Sequence, residues 1–124
     1  MNPIDLRNND LRATATLDAG VLHLAFIGTA DASSEAALAG LLTRIHAELQ
    51  QEDVREARVD MRALEFMNSS CFKAFITWIV AVRRLPEAQH YRIRFLSNAA
   101  LHWQKRSLHA ISYFGGDLVT VENH

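Results

Sequence analysis

The feature that most limits the possible folds is the stretch from residue 71 to residue 82, which is apolar on almost every side when it is read as an α-helix. Its apolar side chains fall into two adjacent stripes, interrupted only by Lys73 and Thr77. The stripes comprise Phe72, Phe75, Ile76 and Ile79, and Cys71, Ala74, Trp78 and Val82. A helix with so little polar surface must be covered on most sides by its own chain or by a partner. The fold must therefore place this helix in a large apolar environment.

Strands and helices alternate along the rest of the chain. Leu11–Leu17 and Val21–Ile27 are rich in apolar and β-branched residues and are separated by a short gap containing Gly20, which predicts a β-hairpin. Because apolar residues occur on both sides of the second strand, we expect it to be covered on much of both faces. The next predicted elements are a helix that is capped by Asp31 or Ser33 and ends near Gln51, a strand at Ala57–Met61, and the apolar helix, which ends at Leu85-Pro86. They are followed by a strand at Tyr91–Leu96, a helix from Ala99 to about His109 capped by Ser97-Asn98, a turn at Tyr113–Gly116, and a strand at Asp117–Val121.

This order of elements predicts an α/β fold. Strands that alternate with helices form a mostly parallel sheet, to which the first hairpin adds an antiparallel member. We predict a single domain over residues 11–124, with a mixed, mostly parallel sheet of about five strands covered by about three helices. Residues 1–10, which end in the polar run Asn8-Asn9-Asp10, are expected to form a flexible N-terminal tail.

Charge and composition exclude several functions. The formal charge is −1 at pH 7, so the chain as a whole offers no basic field that would attract nucleic acid or an anionic membrane. No apolar run approaches the roughly 20 residues that span a bilayer, and no signal peptide is visible. The single cysteine, Cys71, cannot form an internal disulfide, which fits a reducing compartment. We therefore expect a soluble cytoplasmic protein with no nucleic-acid partner and no membrane insertion.

Signatures of catalysis are absent from the sequence. There is no His-Glu-x-x-His or paired-cysteine spacing for a metal, no glycine-rich phosphate loop and no Gly-x-Ser-x-Gly elbow. His102 and His109 are seven residues apart and can share a helix face, but we expect solvated or capping histidines rather than metal ligands. The sequence therefore predicts a protein that is not an enzyme and that binds no cofactor and no metal.

The segment Leu64–Phe72 and the order of elements resemble the STAS domain, which is named after sulfate transporters and anti-sigma factor antagonists. The similarity is greatest to bacterial anti-anti-sigma factors, in which a strand is followed by Phe-(Met/Ile)-Asp-Ser-(Ser/Thr)-Gly-Leu at the start of a helix. Here residues 66–70 read Phe-Met-Asn-Ser-Ser. Gly28–Asp31 stands where the family often has Gly-(Glu/Asp)-Leu-Asp, and Ser97-Asn98 stands where a serine precedes the third helix. The resemblance covers most of the chain.

This resemblance implies a switch that is controlled by phosphorylation. In such proteins a partner serine kinase, which is also the anti-sigma factor, phosphorylates the first hydroxyl after the acidic residue. That position matches Ser69, and Ser70 is a secondary candidate. The bare form would bind the kinase and free its sigma factor, the phosphorylated form would dissociate, and a phosphatase is expected to reverse the change. Two residues depart from the family pattern, since Asn68 replaces an Asp and Cys71 replaces a Gly.

The predicted site lies at the start of the apolar helix. A helix N-terminus exposes unpaired N–H groups and carries partial positive charge, so it tolerates an anion. Phosphate at Ser69 would add about −1.5 to −2 charges in an apolar surround, and a docked partner could not desolvate that charge cheaply. Trp78 is a candidate exposed anchor, because Trp is enriched in binding hot spots. The residues predicted to contact the partner are Asp31, Asn68, Ser69, Ser70, Cys71, Lys73 and Trp78.

Three other interpretations stay open at this point. In the first, Ser69 and Ser70 cap the helix and have no further role. Asn68 is expected to be a turn or cap residue rather than a ligand. The chain could be an adaptor subunit of a transporter or stress-signalling complex, STAS-like but never phosphorylated. It could also be a thiol-based sensor, because a cysteine in the first turn of a helix can have a lowered pKa. The simpler interpretation of Cys71 is a small buried hydrophobic residue.

Overall fold

Six β-strands form one sheet in the computed structural model, which describes residues 1–124, and they lie in the sheet in the same order as in the chain. The strands are β1 (Ile4–Asn8), β2 (Leu11–Asp18), β3 (Val21–Ala30), β4 (Glu56–Met67), β5 (Arg92–Ser97) and β6 (Val119–Asn123). The helices are α1 (Glu35–Leu49), α2 (Ser69–Arg83) and α3 (His102–Gly115). The predicted α/β class, with a mixed sheet and three helices, is confirmed, and the sheet has one strand more than expected.

The additional strand, β1, is made by residues that were expected to be a flexible tail. β1 pairs antiparallel with β2, where Ile4 lies opposite Ala15, and the side chain of Ile4 is buried. Asn9 adopts a φ of 54°, a left-handed conformation that Asn tolerates better than most residues. The prediction of a tail is therefore wrong, because the polar run at residues 8–10 is the turn of a second hairpin.

Helices cover only one face of the sheet. β3, β4, β5 and β6 are parallel and are joined through α1, α2 and α3, and crossovers of the usual right hand place all three helices on the same side. Along β3, Leu22, Leu24 and Phe26 are buried, whereas His23 is exposed and Ile27 is 47% exposed. The expectation that this strand is covered on both faces is wrong, because no element packs on the second face.

The central helix α2 packs its most apolar side onto the sheet. Phe75 is fully buried and contacts Phe26 and Phe95 edge to face, at ring-centroid distances of 5.6 Å and 6.0 Å. α1 and α3 flank α2 on either side. The apolar environment that the sequence required is thus supplied by the chain itself, mainly by the sheet and by α1.

β4 is longer than predicted because it contains two bulges. Ala25 lies opposite Asp60 but Ile27 lies opposite Ala63, and a second extra residue of β4 follows before Phe66. The buried positions of β4 are accordingly spaced by two residues at first and by three later: Ala57, Val59, Met61, Leu64 and Met67. The alternation of apolar and polar residues by which a strand is predicted ends at Met61, where the spacing of buried residues changes. The strand itself continues for six more residues.

The ends of several other elements also differ from the predictions. Asp31 caps a short 3-10 helix, Ala32–Ser34, rather than α1 itself. α3 begins at His102 without a side-chain cap, because Asn98 instead accepts a hydrogen bond from the N–H of Ala100 in the preceding turn. The helix also continues through the predicted turn at residues 113–116 and ends at Gly115. The last strand consequently lies two residues later than predicted.

Two side-chain hydrogen bonds that meet at Tyr91 connect α1, α2 and the start of β5. The indole Nε1 of Trp78 donates to the hydroxyl of Tyr91 at 2.9 Å, and that hydroxyl lies 2.7 Å from Nδ1 of His46. Because an indole only donates, the hydroxyl accepts from Trp78, and its own proton can be donated to Nδ1 of His46 when that nitrogen is unprotonated. Burial lowers the pKa of His46 from its ordinary 6.5, which agrees with a neutral ring.

The protonation of His46 should make the stability of the fold depend on pH. As the pH falls below about 6.5, the unfolded chain takes up the proton before the folded chain does, so the free energy of unfolding should decrease. Urea unfolding at pH 7 and pH 5.5 should show a larger loss for the native chain than for His46→Gln, which keeps an acceptor for Tyr91 but does not titrate. Equal losses in the two proteins would contradict the assignment.

Candidate functional site

The candidate site lies where β3 and β4 end side by side. Ala30 and Met67 form the last pair of this parallel ladder, and the backbone N–H of Asn68 donates to the carbonyl oxygen of Ala30 at 2.9 Å. α2 then begins at Ser69, directly after β4. The ladder thus brings together the two segments that the family resemblance singled out, although they are more than thirty residues apart in the sequence.

Asn68 caps α2. Its backbone is extended, with φ −80° and ψ 172°, and its side-chain oxygen accepts a hydrogen bond from the N–H of Cys71 at 2.9 Å. Asn is among the preferred N-cap residues, and the cap is worth about 1 kcal/mol. The prediction that Asn68 is a cap is confirmed. The alternative in which Ser69 and Ser70 serve as caps is wrong, because Asn68 already makes the capping bond.

Ser69 occupies the first position of α2 and is exposed, and Ser70 follows it half-buried. The first N–H groups of a helix have no partner within the helix, and the helix dipole adds partial positive charge at this end. The prediction of an exposed hydroxyl at the start of the apolar helix is therefore confirmed for Ser69. A group attached to its oxygen would project into solvent and not into the core.

Asp31 stands at the end of β3, beside the start of α2. Its carboxylate accepts hydrogen bonds from the N–H and the hydroxyl of Ser33, at 2.9 Å and 2.5 Å. These bonds hold the pKa of Asp31 below its ordinary value of 3.8. Asp31 is therefore a fixed negative charge at neutral pH. Asp31 is half-buried, so part of the residue stays accessible, and its contact with a partner stays a prediction.

The accessible face of α2 carries apolar and basic side chains behind Ser69. Phe72 and Ile76 follow at helical spacing and are half-buried, Lys73 is exposed, and Phe66 of β4 is 48% exposed. We call Phe66, Ser69, Phe72, Lys73 and Ile76 the α2 surface. The sequence did not show which part of the helix would stay accessible, because the apolar stripes run around most of it.

Comparison of the sequence with protein-family models finds no match, and comparison with curated proteins finds no significant one. Two solved structures do share the architecture. An anti-sigma factor antagonist from Mycobacterium paratuberculosis has a TM-score of 0.63 at 14% identity, over 83% of this chain and 80% of its own. The chain has the fold of an anti-sigma factor antagonist.

A second solved structure agrees with the first. The anti-sigma factor antagonist SpoIIAA, in its unphosphorylated form, has a TM-score of 0.62 at 16% identity, over 89% of this chain and 87% of its own. Both likenesses extend over most of the two chains compared. They confirm the STAS-type fold that the resemblance around Leu64–Phe72 implied.

Within this antagonist fold, Cys71 is fully buried. Its thiol lies 3.5 Å from the carbonyl oxygen of Asp31, toward which it can donate. Burial raises the pKa of the thiol, and the carboxylates of Glu35 and Asp31 raise it further. The prediction that Cys71 contacts a partner is therefore wrong, because its side chain faces the core. A sensor with a lowered thiol pKa is contradicted for the same reason.

The burial of Cys71 predicts slow chemical modification. At neutral pH the folded chain should react with a thiol reagent roughly 100-fold or more slowly than a free cysteine peptide, since the reagent must wait for local opening. With an aromatic disulfide as the reagent, the rate can be followed by the absorbance of the thiolate that the reagent releases. The same protein unfolded in denaturant serves as the control. A folded-state rate equal to that of the peptide would contradict the buried placement.

Trp78 also points inward in the antagonist fold. It is 2% exposed, and it lies against α1 with its indole N–H bonded to Tyr91. The prediction of Trp78 as an exposed anchor is therefore wrong. Because Trp78 is turned toward α1, the large apolar side chains on the α2 surface are Phe66, Phe72 and Ile76.

The bulged part of β4 is held by residues that the sequence did not mark. β5 pairs with β4 only as far as Asp60, so the carbonyl groups that follow need other partners. The fully buried side chain of Gln104 donates to the carbonyl oxygens of Met61 and Leu64, at 2.5 Å and 3.0 Å, and accepts from the N–H of Asn98 at 2.8 Å. A lone Gln in a helix is normally a surface residue, so no sequence signal pointed to this one.

Loss of Gln104 should weaken the support of the site. Gln104→Leu would leave two buried carbonyl groups without a donor and should lower the free energy of unfolding by about 2–4 kcal/mol. Lys105→Ala, at the exposed neighbour, should change it by less than about 0.5 kcal/mol. Denaturant unfolding measures both values, and hydrogen exchange should become faster in residues 61–67 of the Gln104 variant. Equal stability of the two variants would be inconsistent with the assigned bonds.

No three His, Cys, Asp or Glu side chains come together closely enough to hold a metal ion. His102 and His109 both lie on α3 and are exposed. None of the helices combines the length and the apolar character that crossing a membrane requires.

Proposed function

We propose that this chain is a protein-interaction switch of the anti-sigma factor antagonist type. In this proposal a partner serine kinase, which is also an anti-sigma factor, binds the α2 surface and transfers the γ-phosphoryl group of ATP to the oxygen of Ser69, with ADP as the other product. A phosphatase hydrolyses the phosphoserine and restores the bare form. The chain itself contributes a binding surface and a phosphate acceptor, and no catalytic group. The observation that carries the proposal is the exposed Ser69 hydroxyl at the start of α2, within the antagonist fold.

Free N–H groups and one positive side chain support a phosphate on Ser69, against the fixed negative charge of Asp31 beside the start of α2. Asn68 bonds the N–H of Cys71, which leaves the N–H groups of Ser69 and Ser70 available to phosphate oxygens. Lys73 lies four residues further along the same face and adds a positive charge. The neutral amide of Asn68, in place of the family's Asp, brings no charge that would repel the phosphate. The free protein can therefore accept the modification without unfolding.

The same phosphate would oppose docking of a partner. A partner seated on Phe66, Phe72 and Ile76 would have to remove water from a group with about −1.5 to −2 charges, and burial of an unpaired charge is strongly unfavourable. Ser69 lies next to these apolar side chains on the α2 surface. Phosphorylation would then release the partner through desolvation alone, with no rearrangement of the fold.

Substitutions at Ser69 test the switch. Ser69→Asp should weaken binding to the cognate kinase roughly 100-fold or more, which corresponds to about 2.7 kcal/mol, whereas Ser69→Ala should still bind. Thr16→Asp adds the same charge on the opposite face of the sheet and should have no effect. Calorimetry measures the affinities, and intact-mass analysis after co-expression with the kinase should find one phosphoryl group that is lost in Ser69→Ala and kept in Ser70→Ala. Normal binding of Ser69→Asp, together with no added phosphate, would refute the proposal.

A second candidate function is favoured by the local chemistry at residue 68. Asn68 offers no carboxylate next to the Ser69 hydroxyl, and its oxygen is occupied by the cap bond. The chain would then be an adaptor that binds a transporter or stress-signalling complex through the same surface without being phosphorylated. Stoichiometric co-purification with such a partner, unchanged by both Ser69→Ala and Ser69→Asp, would support this function over the first.

A further inference from the structure

A second surface lies between α3 and the edge strand β6, away from the start of α2. The two elements enclose an open groove of about 710 Å³ on the helix side of the sheet. Leu108 and Val121 form its apolar floor, and α3 lines one wall with a row of polar side chains. The function proposed for Ser69 does not use this groove.

The charge in this groove has one sign. The side chains of His102, Lys105, Arg106 and His109 line it, and no carboxylate does. Glu122 lies on β6 but points to the opposite face of the sheet, where it pairs with Arg94 at 3.7 Å. With histidines counted as neutral, the groove carries the two positive charges of Lys105 and Arg106, whereas the whole chain has a net charge of −1.

The outer edge of β6 is available for strand pairing. The N–H of His124 donates to Ser97, and its carbonyl oxygen accepts from Ala99, so His124 turns both backbone groups toward β5 and its continuation. In a strand, the backbone N–H and C=O groups of successive residues point to opposite edges. The backbone groups of Val121 and Asn123 therefore point away from β5, toward the open edge of the sheet. No proline and no lysine interrupts β6, whereas such residues commonly protect natural edges.

We propose that this groove binds an extended acidic segment of a partner protein. The segment adds to the sheet as a seventh strand beside β6, bonding to the outward backbone groups of Val121 and Asn123. Its side chains on the helix side are carboxylates, which lie against the basic side chains of α3. The recognition combines strand addition with charge complementarity, and it does not depend on the state of Ser69.

The dimensions of the two elements define the pattern of the segment. His109 lies seven positions after His102 on α3, which is about 10 Å along the helix axis. Side chains on one face of a strand recur about every 6.7 Å. Two or three acidic residues at alternate positions therefore match the length of the basic row. The residues between them face the other side of the sheet, where the exposed Thr120 of β6 suits threonine or another β-branched residue.

A synthetic peptide tests the proposal directly. We would titrate a fluorescent eight-residue peptide of alternating glutamate and threonine into the full chain and follow its anisotropy. Lys105→Glu combined with Arg106→Glu should weaken binding at least tenfold, and Arg84→Glu, an exposed arginine at the end of α2, should leave it unchanged. Val121→Pro removes an outward N–H together with the Val121 side chain and should also weaken binding at least tenfold, with circular dichroism to verify the fold. Ser69→Asp should bind the peptide as the native chain does.

Backbone pairing is distinguished from simple charge attraction by a second peptide. A version in which every backbone nitrogen is methylated keeps the charge and the side chains but has no N–H to donate to β6, and it should bind at least tenfold more weakly even if Val121→Pro does not fold. Equal binding of the two peptides would overturn the proposal, as would a complete lack of binding by the native chain. A single-stranded oligonucleotide of the same charge that bound more tightly than the peptide would also overturn it.

Discussion

The packing of α2 against the centre of the sheet is the interaction on which the rest of the structure depends. Phe75 is held between Phe26 and Phe95, and replacing such a residue by alanine typically costs about 3–5 kcal/mol. This contact fixes the position of the helix, and the Asn68 cap fixes where it begins. Ser69 is consequently presented at a rigid point of the surface, although it lies within two residues of the buried Cys71. A binding switch needs such a point, because only a fixed hydroxyl places an added charge at a defined position in an interface.

β4 and α3 together connect the two surfaces of the molecule. The bulges of β4 take the strand past the end of β5, and Gln104 supplies the hydrogen bonds that β5 no longer gives. The buried side of α3 thus supports the strand that leads to Ser69, while the opposite side lines the basic groove beside β6. A single helix therefore serves both the site proposed for phosphorylation and the site proposed for an acidic segment. The two sites use different chemistry, since one depends on desolvation of a charge and the other on charge pairing and strand addition.

Regular periodicity decided which parts of the fold could be predicted. Apolar residues recur at a constant spacing along the β2–β3 hairpin, along α1 and along β5. These elements could therefore be predicted from the sequence. β4 changes its spacing after Met61, so only its first half was found. The tail prediction failed because an Asn in the left-handed conformation looks the same in sequence as an Asn in a loose segment. The local motif located the start of α2 at Asn68 and Ser69, whereas it did not show that the side chains of Trp78 and Cys71 are buried.

The sequence by itself determined that α2 exists, that it begins near Ser69 and that it must be covered by apolar surface. These conclusions depend only on neighbours along the chain. The tertiary structure alone decided which side of α2 is covered, because a helix that is apolar nearly all round is compatible with several orientations, and the sheet and α1 select one of them. That selection buried Trp78 and Cys71 and left Phe72 and Ile76 accessible. It also gave Gln104 its role, since the carbonyl groups it bonds lie about forty residues earlier in the chain and come within reach only when the bulged β4 passes the end of β5.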